Sequence, residues 1–493
     1  MKLLRLALVR SAKRSTAACS AQRRLFAAAS GSDSLARAPG AELYDVVIVG
    51  GGPAGCVLAG ALGSSASLAG ARIALIDPGR LDDARHWEPP GDTYHARTLQ
   101  ITASNKRYLD SLGMWGQCFA DRIQPCSRAV VTDALGHGKL DLAAAAAGEG
   151  HVAYMIETKN LVGGLLRAIH RNAGRVDVFE RAKVASVEAT EPAPPNGSAT
   201  ATEWPVVTLS TKHRLRARLL VGADGGSSLV RKHARIGAYG SNYGQSGLVA
   251  TLCLEHLNQT AFQRFLPTGP IALLPFPGGF ANLVWSLDAD RAQLLKTAPE
   301  DAFACLVNAA FCLSPPEMEH LYGLVRAGAS ADDIKADAAW RLQVYARNND
   351  GASSWLPPAA AATSPRSRMS FPLRMRMVDR LVADRVALVG DAGHVLHPLA
   401  GQGLNMGLED VQSLAAVLEH AALSGEDFGT LAVLNRYNKQ RYMRNLAMQG
   451  VVDKVWHVFG ATAGPIASAR SLALHVLDCL PSAKHRLVAS MMN

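Results

Sequence analysis

The sequence predicts an α/β protein in which a doubly wound parallel sheet combines with an antiparallel-sheet domain and C-terminal helices. Four short runs of aliphatic and β-branched residues, at 44–49, 72–76, 219–221 and 385–389, each lead into a turn that contains glycine, and in the last three the turn also contains aspartate. Such runs are typical of parallel strands that are buried on both faces. Residues 243–290 instead alternate apolar stretches with Gly and Pro turns, which indicates antiparallel strands.

The composition is that of a large globular protein. The chain has 493 residues, of which 48% are apolar and 19% charged, and this excludes a mostly disordered protein, a collagen and a coiled coil. The net charge is +10, but residues 1–32 contain seven basic residues and no acidic one, so the rest of the chain carries +3. This small excess is too low for binding along a phosphate backbone, and no nucleic-acid partner is predicted.

Residues 1–32 have the composition of an organelle transit peptide. They are rich in Arg, Ser and Ala, and Leu3, Leu4, Leu8 and Val9 can share one face of a helix. A basic amphipathic helix of this kind favours a mitochondrial destination. A plastid address and a plain basic tail are the alternatives.

No metal site is predicted from the histidines and cysteines. The eight cysteines are scattered, and no pair has the CxxC spacing of a zinc site. His394 and His397 are three residues apart without a carboxylate partner, which favours roles in turn capping or packing.

The first motif with chemical meaning is the glycine cluster that follows residues 44–49. Gly50, Gly52 and Gly55 match the GxGxxG pattern, in which the glycines allow a tight turn, approach of a pyrophosphate and close helix–sheet packing. The next predicted strand ends in Asp77, which is placed to accept hydrogen bonds from a ribose. This combination predicts a dinucleotide site, with a structural glycine turn as the alternative, and it fits FAD and NAD equally.

Two later turns also join a buried strand to a helix. The segment 222–231 (GADGGSSLVR) contains Asp224, and an ordinary Asx turn explains it as well as a ligand contact does. In the second turn, Gly390 and Asp391 follow the strand at 385–389, where a carboxylate can bind a chain of hydroxyl groups.

The segment 397–405 (HPLAGQGLN) follows this last turn and introduces a helix. Gly401 and Gly403 allow the backbone to approach a flat ring, and a helix beginning near Leu404 directs its positive end toward that ring. A flavin fits this environment because its reduced form carries negative charge at the pyrimidine end.

In this order, the three motifs resemble the single-component flavin aromatic hydroxylases, and among them the ubiquinone-biosynthesis hydroxylases of the UbiH/UbiF type. Residues 243–251 (YGQSGLVAT), 263–275 (QRFLPTGPIALLP) and 284–286 (VWS) carry the closer resemblance, which extends over about 44–444. The chain departs from the family pattern at Thr158, Ser227 and Gly393, which are small substitutions. With the leader, the chain is similar to the mitochondrial branch that hydroxylates ring carbon C5.

The resemblance implies the fold of the glutathione-reductase and aromatic-hydroxylase type, and it implies roles for individual residues. Those implied to bind FAD are Gly50, Gly52, Gly55, Asp77, Arg97, Asp224, Gly390, Asp391, Gly401, Gly403, Leu404 and Asn405. Those expected to line the substrate site are Arg264, Pro275, His397 and Pro398.

The same resemblance divides the chain into domains. Residues 300–325 are predicted to be helical and residues 327–369 to be rich in loops. The predicted divisions are a transit peptide at 1–32, an FAD-binding domain at 43–120, 151–236 and 371–425, a substrate domain at 121–150 and 237–370, and a C-terminal helical region at 426–493.

The implied activity is hydroxylation at C5 of a polyprenyl-hydroxybenzoate in ubiquinone biosynthesis, with dioxygen activated as a flavin C4a-hydroperoxide. The implied electron donor is a ferredoxin with its reductase or NAD(P)H. The implied surroundings are a ubiquinone-biosynthesis complex and a peripheral contact with the matrix side of the inner membrane. The alternatives are hydroxylation at another ring position, a flavin-dependent isoprenoid reductase, a flavin-bound scaffold without turnover and a soluble NAD dehydrogenase.

Overall fold

A computed structural model describes residues 40–492, apart from short gaps at 92, 137, 148–149, 172–173, 189–203 and 350–354. The predicted transit peptide therefore lies outside the described residues.

In the described part of the chain, strands and helices alternate in the first half, and helices dominate after residue 402. The strands in chain order are β1 (Glu42–Val49), β2 (Ile73–Ile76), β3 (Thr98–Thr102), β4 (Ile123–Cys126), β5 (Arg128–Asp133), β6 (Lys139–Ala143), β7 (Ala153–Glu157), β8 (Val176–Phe179), β9 (Val184–Glu188), β10 (Val206–Leu209), β11 (Arg214–Gly222), β12 (Ala238–Tyr239), β13 (Asn242–Leu254), β14 (Thr260–Leu266), β15 (Gly269–Pro275), β16 (Phe280–Asp288), β17 (Ala360–Thr363), β18 (Met369–Arg374), β19 (Arg376–Val378), β20 (Val382–Ala383), β21 (Val386–Leu388) and β22 (His394–Val395). The helices are α1 (Pro53–Ser64), α2 (Leu81–Arg85), α3 (Ala103–Ser111), α4 (Thr158–Arg171), α5 (Leu229–His233), α6 (Ala289–Thr297), α7 (Glu300–Cys312), α8 (Pro315–Arg326), α9 (Ala331–Asn348), α10 (Gln402–Leu423), α11 (Leu431–Gly460), α12 (Gly464–Cys479) and α13 (Pro481–Met492).

The first large sheet has the strand order β20-β21-β11-β1-β2-β8, and β9 and β10 extend it beside β11. Strands β21, β11, β1, β2 and β8 are parallel, and their apolar side chains are buried because helices cover the sheet. The chain leaves β1 toward β2 on one side and reaches β11 on the other. The sheet therefore reverses its strand order between β1 and β11, which is where open α/β sheets bind ligands.

The second large sheet has the order β17-β13-β16-β15-β14-β5-β6, with β18 paired to β13. Strands β13, β16, β15 and β14 are antiparallel neighbours, as residues 243–290 predict. Helices α6 to α9 share an apolar core with this sheet. Helix α9 occupies 331–348, so the prediction of a loop-rich segment at 327–369 is wrong for these residues.

Two short sheets connect the large ones. The order β3-β7-β4 forms one, and β12-β19-β22 forms the other. Strand β3 matters for the site because it contacts α10, which begins at the 397–405 motif.

The C-terminal helices tie the two halves together. Helix α10 packs against α1 and α11, while α12 and α13 lie against β6 and the turn that follows it. A buried ion pair fixes α12, because Arg470 donates from Nε and Nη2 to Asp133 at 2.7 and 2.9 Å. The Nη1 of Arg470 also donates to the carbonyls of Val458, Phe459 and Ala461.

We expect Arg470→Ala to lower the free energy of unfolding by roughly 3–5 kcal/mol, because it leaves the buried Asp133 carboxylate without its partner. Urea unfolding, followed by circular dichroism, measures this loss. Lys335→Ala removes an exposed ion pair with Asp332 and is the control, with a far smaller effect. Equal losses in the two variants would contradict the structural role of Arg470.

Candidate active site

The glycine turn between β1 and α1 lies against the end of β11. Gly50 has φ +114°, and a Cβ on it would lie 2.2 Å from the carbonyl oxygen of Ala223. A Cβ on Gly55 would lie 1.9 Å from the oxygen of Gly50, so neither position accepts a side chain. Gly52 differs, because no atom lies within 4 Å of an added Cβ and the residue borders a cavity.

Asp77 supports this turn from the end of β2. Its Oδ2 accepts the N–H of Gly51 at 2.7 Å, and its Oδ1 accepts the N–H of Gly79 at 2.6 Å. The carboxylate is half-buried and lies beside the glycine turn. Its contact with a ribose stays a prediction.

The turn at 222–226 contributes a carboxylate with one free oxygen. The Oδ2 of Asp224 accepts the N–H groups of Leu229 at 2.7 Å and Val230 at 3.3 Å, which caps α5. Its Oδ1 is buried and has no hydrogen-bond partner among the described residues. A ligand hydroxyl or a water can satisfy this oxygen, while Ala223 and Gly225 border the cavity directly.

The third turn brings Gly390 and Asp391 to the same cavity. Gly390 has φ +58°, and its N–H donates to Oδ2 of the buried Asp410 at 3.2 Å. The Asp391 side chain is accessible from the cavity, although dense protein surrounds it. That burial raises the pKa of Asp391, and the nearby His394 opposes the shift.

Asp410 holds this turn in place through a buried network. Its Oδ2 bonds the ring of His394, and its Oδ1 accepts from Arg441 at 2.9 Å and Asn445 at 3.0 Å. Burial alone would raise the pKa of Asp410, but His394 and Arg441 lower it overall, so the carboxylate stays charged. A charged, fully bonded Asp410 fixes the backbone of Gly390.

The 397–405 segment forms the opposite wall. Gly401 has φ +61°, and a Cβ on it would lie 2.7 Å from Oε1 of Gln100. Gly401, Gly403 and Leu404 border the cavity, and no atom lies within 4 Å of a Cβ added to Gly403. The structure thus places the start of α10 beside the first two turns.

Asn405 does not reach the cavity. It is completely buried, and its Oδ1 accepts the N–H of Thr102 at 3.0 Å. Its Nδ2 donates to the carbonyls of Gln100 at 2.9 Å and Gly401 at 3.1 Å. Asn405 therefore joins α10 to β3 and orients the Gly401 turn. It positions the cavity wall but does not border the cavity itself.

The cavity that joins these turns has a volume of about 900 Å³. One end is bordered by the three turns and by Arg97. The remaining walls are mostly apolar and come from the second sheet and the C-terminal helices, among them Ala272, Leu274, Val284, Val455, Phe459, Leu474 and Leu487. Within the described residues, no group of three or more His, Cys, Asp or Glu side chains could hold a metal ion.

Of the four residues expected to line the substrate site, only Pro398 borders the cavity. Neighbouring side chains on a strand point to opposite faces, so Phe265 faces the cavity while Arg264 donates to the Ala310 carbonyl on the helical side. The same alternation places Leu274 in the wall and Pro275 outside it.

His397 lies beside the cavity but is packed into the protein. Its ring contacts Tyr243 edge-on, with 5.0 Å between the ring centroids. Both ring nitrogens are buried without a hydrogen-bond partner among the described residues, and burial lowers the pKa of His397 to about 4. The imidazole is therefore neutral near pH 7 and contributes packing.

Sequence reasoning misses the part of the wall that β3 forms. Thr98 and Gln100 border the cavity from β3, and their nearness to Arg97 in the chain is the signal that could have indicated them. Val455 and Phe459 border the cavity from α11, so apolar residues of this C-terminal helix form cavity wall.

The residues present fit a flavin dinucleotide. Gly52, Gly225 and Gly403 leave open space along one side of the cavity, where side chains would fill it. The N-termini of α1 and α10 supply positive partial charge at two places, suited to a pyrophosphate and to a reduced flavin ring. The Oδ1 of Asp224 is a buried acceptor without a hydrogen-bond partner among the described residues, and the residues on either side of it, Ala223 and Gly225, border the cavity.

Comparisons with known proteins agree with this architecture. The FAD binding domain family matches residues 43–453. Among solved structures, p-nitrophenol 4-monooxygenase PnpA from Pseudomonas putida has a TM-score of 0.62 at 16% identity, covering 92% of this chain and 99% of that one. PqsL from Pseudomonas aeruginosa has a TM-score of 0.60 at 19% identity, covering 88% and 100%.

Curated relatives are more similar in sequence. Ubiquinone biosynthesis monooxygenase COQ6, mitochondrial, of Saccharomyces cerevisiae is 34% identical over 469 residues, which are 93% of this chain and 95% of the relative. The protein of the same name from Homo sapiens is 32% identical over 449 residues, which are 91% and 92% of the two chains.

The fold and the site together define an FAD-dependent monooxygenase, with FAD as its cofactor. Within that class, the chain belongs to the COQ6 family of mitochondrial ubiquinone-biosynthesis monooxygenases. The predicted fold class, cofactor and enzyme class are confirmed, and the protein is mitochondrial. Across the described helices, none combines the length and apolarity that crossing a bilayer requires.

We expect Gly52→Val to weaken FAD binding at least about tenfold while the chain stays folded, because the new side chain enters open cavity space. The ratio of flavin to protein absorbance and a titration with FAD measure this loss. Gly323→Val places the same side chain in open space on α8, a helix that does not line the cavity, and should retain FAD. FAD binding equal to wild type in Gly52→Val would contradict the assigned position.

The buried His397 should make the protein less stable in mild acid. In the unfolded chain His397 has its ordinary pKa of about 6.5, whereas in the folded chain its pKa is about 4. The free energy of unfolding is therefore highest above pH 6.5 and falls by about 3 kcal/mol as the pH drops to 4. His397→Phe should flatten this dependence, as measured by urea unfolding between pH 5 and pH 7. His256→Phe changes an exposed histidine and should keep the wild-type slope. An unchanged slope in His397→Phe would contradict the lowered pKa.

Proposed function

We propose that this chain hydroxylates carbon C5 of the aromatic ring of a polyprenyl-hydroxybenzoate during ubiquinone biosynthesis. The observation that supports the proposal is the two-part cavity. The glycine and aspartate turns border one end, and apolar side chains of the second sheet and the C-terminal helices form the rest. A phenol with an isoprenoid tail needs both a ring site beside a flavin and an apolar space for the tail.

Each part of the site has its own task in this reaction. When bound and reduced, FAD supplies the activation of dioxygen and the transfer of one oxygen atom to the ring. Gly52 leaves room for the pyrophosphate at the start of α1, and Asp391 offers its carboxylate to hydroxyl groups of the sugar chain. The N-terminus of α10 stabilises negative charge on the reduced ring.

The apolar walls position the substrate and exclude water. Ala272, Leu274 and Val284 project from the second sheet, and Leu474 and Phe459 come from the C-terminal helices. Aliphatic and aromatic side chains bind an isoprenoid by removing its surface from water. They also keep water from the activated oxygen, which favours hydroxylation of the ring.

We also propose an electron donor and a location in the mitochondrion for this reaction. A ferredoxin with its reductase delivers the electrons, with NAD(P)H as the alternative donor. The sequence has a single GxGxxG fingerprint, at residues 50–55, so it lacks the second one that many two-dinucleotide flavoenzymes carry for NAD(P)H. The protein works on the matrix side of the inner membrane, within a ubiquinone-biosynthesis complex.

Two other reactions can take place on the same fold. A hydroxylase for another ring position or an isoprenoid reductase would use the same FAD turns, and these reactions differ in the compound that accumulates when the enzyme is missing. A scaffold without turnover would still function in an Asp391 variant that cannot retain FAD. Product analysis therefore separates these alternatives from C5 hydroxylation.

The decisive experiment removes the protein from cells and identifies the quinone intermediates by mass spectrometry. We expect a polyprenylated intermediate that lacks the C5 hydroxyl group, and ubiquinone should return when the wild-type chain is restored. Ala272→Phe fills the cavity from β15 and should reduce the restored ubiquinone at least about tenfold with FAD retained. Ala361→Phe makes the same change at an exposed position of β17 and should restore it fully.

Either of two results would contradict the proposal. Normal ubiquinone in cells without the protein would exclude a role in the pathway. Accumulation of an intermediate that already carries the C5 hydroxyl group would assign the enzyme to another step.

A further inference from the structure

Helix α12 has two apolar faces, and only one of them is covered. Ala467 and Leu474 on the inner face are buried, and Leu474 shares an apolar cluster with Leu140 and Leu142 of β6. The outer face carries Leu472 and Val476, which lie one helical turn apart, and Leu480 follows one turn later just beyond the helix, while Ile466 is exposed in the first turn. Leu472 exposes 62% of its surface, and the other three expose 45–47%.

Exposed large apolar residues concentrate in this part of the described chain. Seven of the seventeen such residues in the described structure lie between Met443 and Leu480. Single exposed apolar side chains are common on protein surfaces, but a cluster along one helix marks an interaction site.

The outer face is held rigidly outward. Arg470, on the inner side of α12, forms the buried ion pair with Asp133 and donates to the last carbonyls of α11. Asp478 accepts the N–H of Asp141 at 2.9 Å and the Nζ of Lys484 at 2.7 Å. These contacts fix the rotation of α12 about its axis, so its outer stripe stays exposed.

The charges near the stripe indicate the chemistry of the surface that it contacts. The only acidic residue between 454 and 492 is Asp478, which Lys484 neutralises, and Asp133 neutralises Arg470. Lys454 and Arg486 are exposed cations on α11 and α13, the helices that contact α12, with the half-buried Asp453 next to Lys454, and the stripe itself contains no charged residue. Residues 454–492 carry four basic residues and one acidic residue. An apolar stripe in a region with this positive excess matches the surface of a bilayer with anionic headgroups.

The inner side of the same helices forms the cavity wall. Leu474 of α12 and Leu487 of α13 border the cavity, together with Val455 and Phe459 of α11. A bilayer on the outer face of α12 would therefore lie one helix away from the cavity. A substrate with an isoprenoid tail is dissolved in the bilayer, so this arrangement shortens its path to the site.

We propose that the outer stripe of α12, formed by Leu472, Val476 and Leu480, docks on the surface of a lipid bilayer with anionic headgroups. This inference rests on the proposed function for the lipid nature of the substrate. Beyond that function, we infer which surface of the protein contacts the membrane and that α12 separates the membrane from the cavity.

Flotation with vesicles of phosphatidylcholine and phosphatidylglycerol tests the proposal on the chain loaded with FAD and without the predicted transit peptide at 1–32. Residues 1–32 are left out of all three proteins because a basic amphipathic segment would bind anionic vesicles by itself. We expect the wild type to bind, and Leu472→Glu combined with Val476→Glu to lower the bound-to-free ratio at least about tenfold. The matched control, Leu257→Glu combined with Leu423→Glu, adds the same charge at two other exposed leucines and should bind like the wild type.

Three outcomes would overturn the docking surface: a wild type that does not bind the vesicles, an α12 variant that binds as well as the wild type, and an α12 variant whose oligomeric state changes. The last result would assign the stripe to a second copy of the chain. The flavin spectrum of each variant shows that the site is intact. Vesicle binding that depends on α12, in a protein whose loss leaves quinone intermediates unchanged, would support the docking surface and contradict the proposed function.

Discussion

The close approach of the Gly50 turn to the end of β11 is the constraint on which the rest of the site depends. The backbone of Gly50 contacts the Ala223 carbonyl so closely that a Cβ would lie 2.2 Å from it, and Gly55 packs equally tightly against Gly50. This contact occurs where the strand order of the first sheet reverses. It opens a crevice between two turns, and Gly390 and Gly403 extend that crevice toward the second sheet.

Buried polar groups then hold the later turns against the first. Asp410 binds the N–H of Gly390, and Asn405 joins the Gly401 turn to β3. Neither side chain borders the cavity, yet both determine the direction of the backbone that does. The chain thus uses fixed backbone at the cofactor end and side-chain surface at the substrate end. The first suits a cofactor of constant shape, and the second suits a long apolar substrate.

The parallel strands and their turns could be predicted because each combines a short apolar run with glycine or aspartate. The face of the sheet on which a side chain lies could not be predicted, because strand register sets it. Register decides the faces that Arg264 and Pro275 occupy. Helix α9 is not predicted because only Ile334 and Ala338 are buried, so its apolar residues do not recur often enough at helical spacing to indicate a helix. Asn405 is a residue type that often contacts ligands, but its amide forms its hydrogen bonds with the backbone of β3.

An experimental structure of the chain with FAD bound tests the central claim most directly. The account predicts a single dinucleotide that passes Gly52 and Asp224 and places its ring beside Gly403, with the apolar part of the cavity open above it. A flavin bound at another place, or a cavity that closes so that no tricyclic ring can enter between the turns, would contradict it.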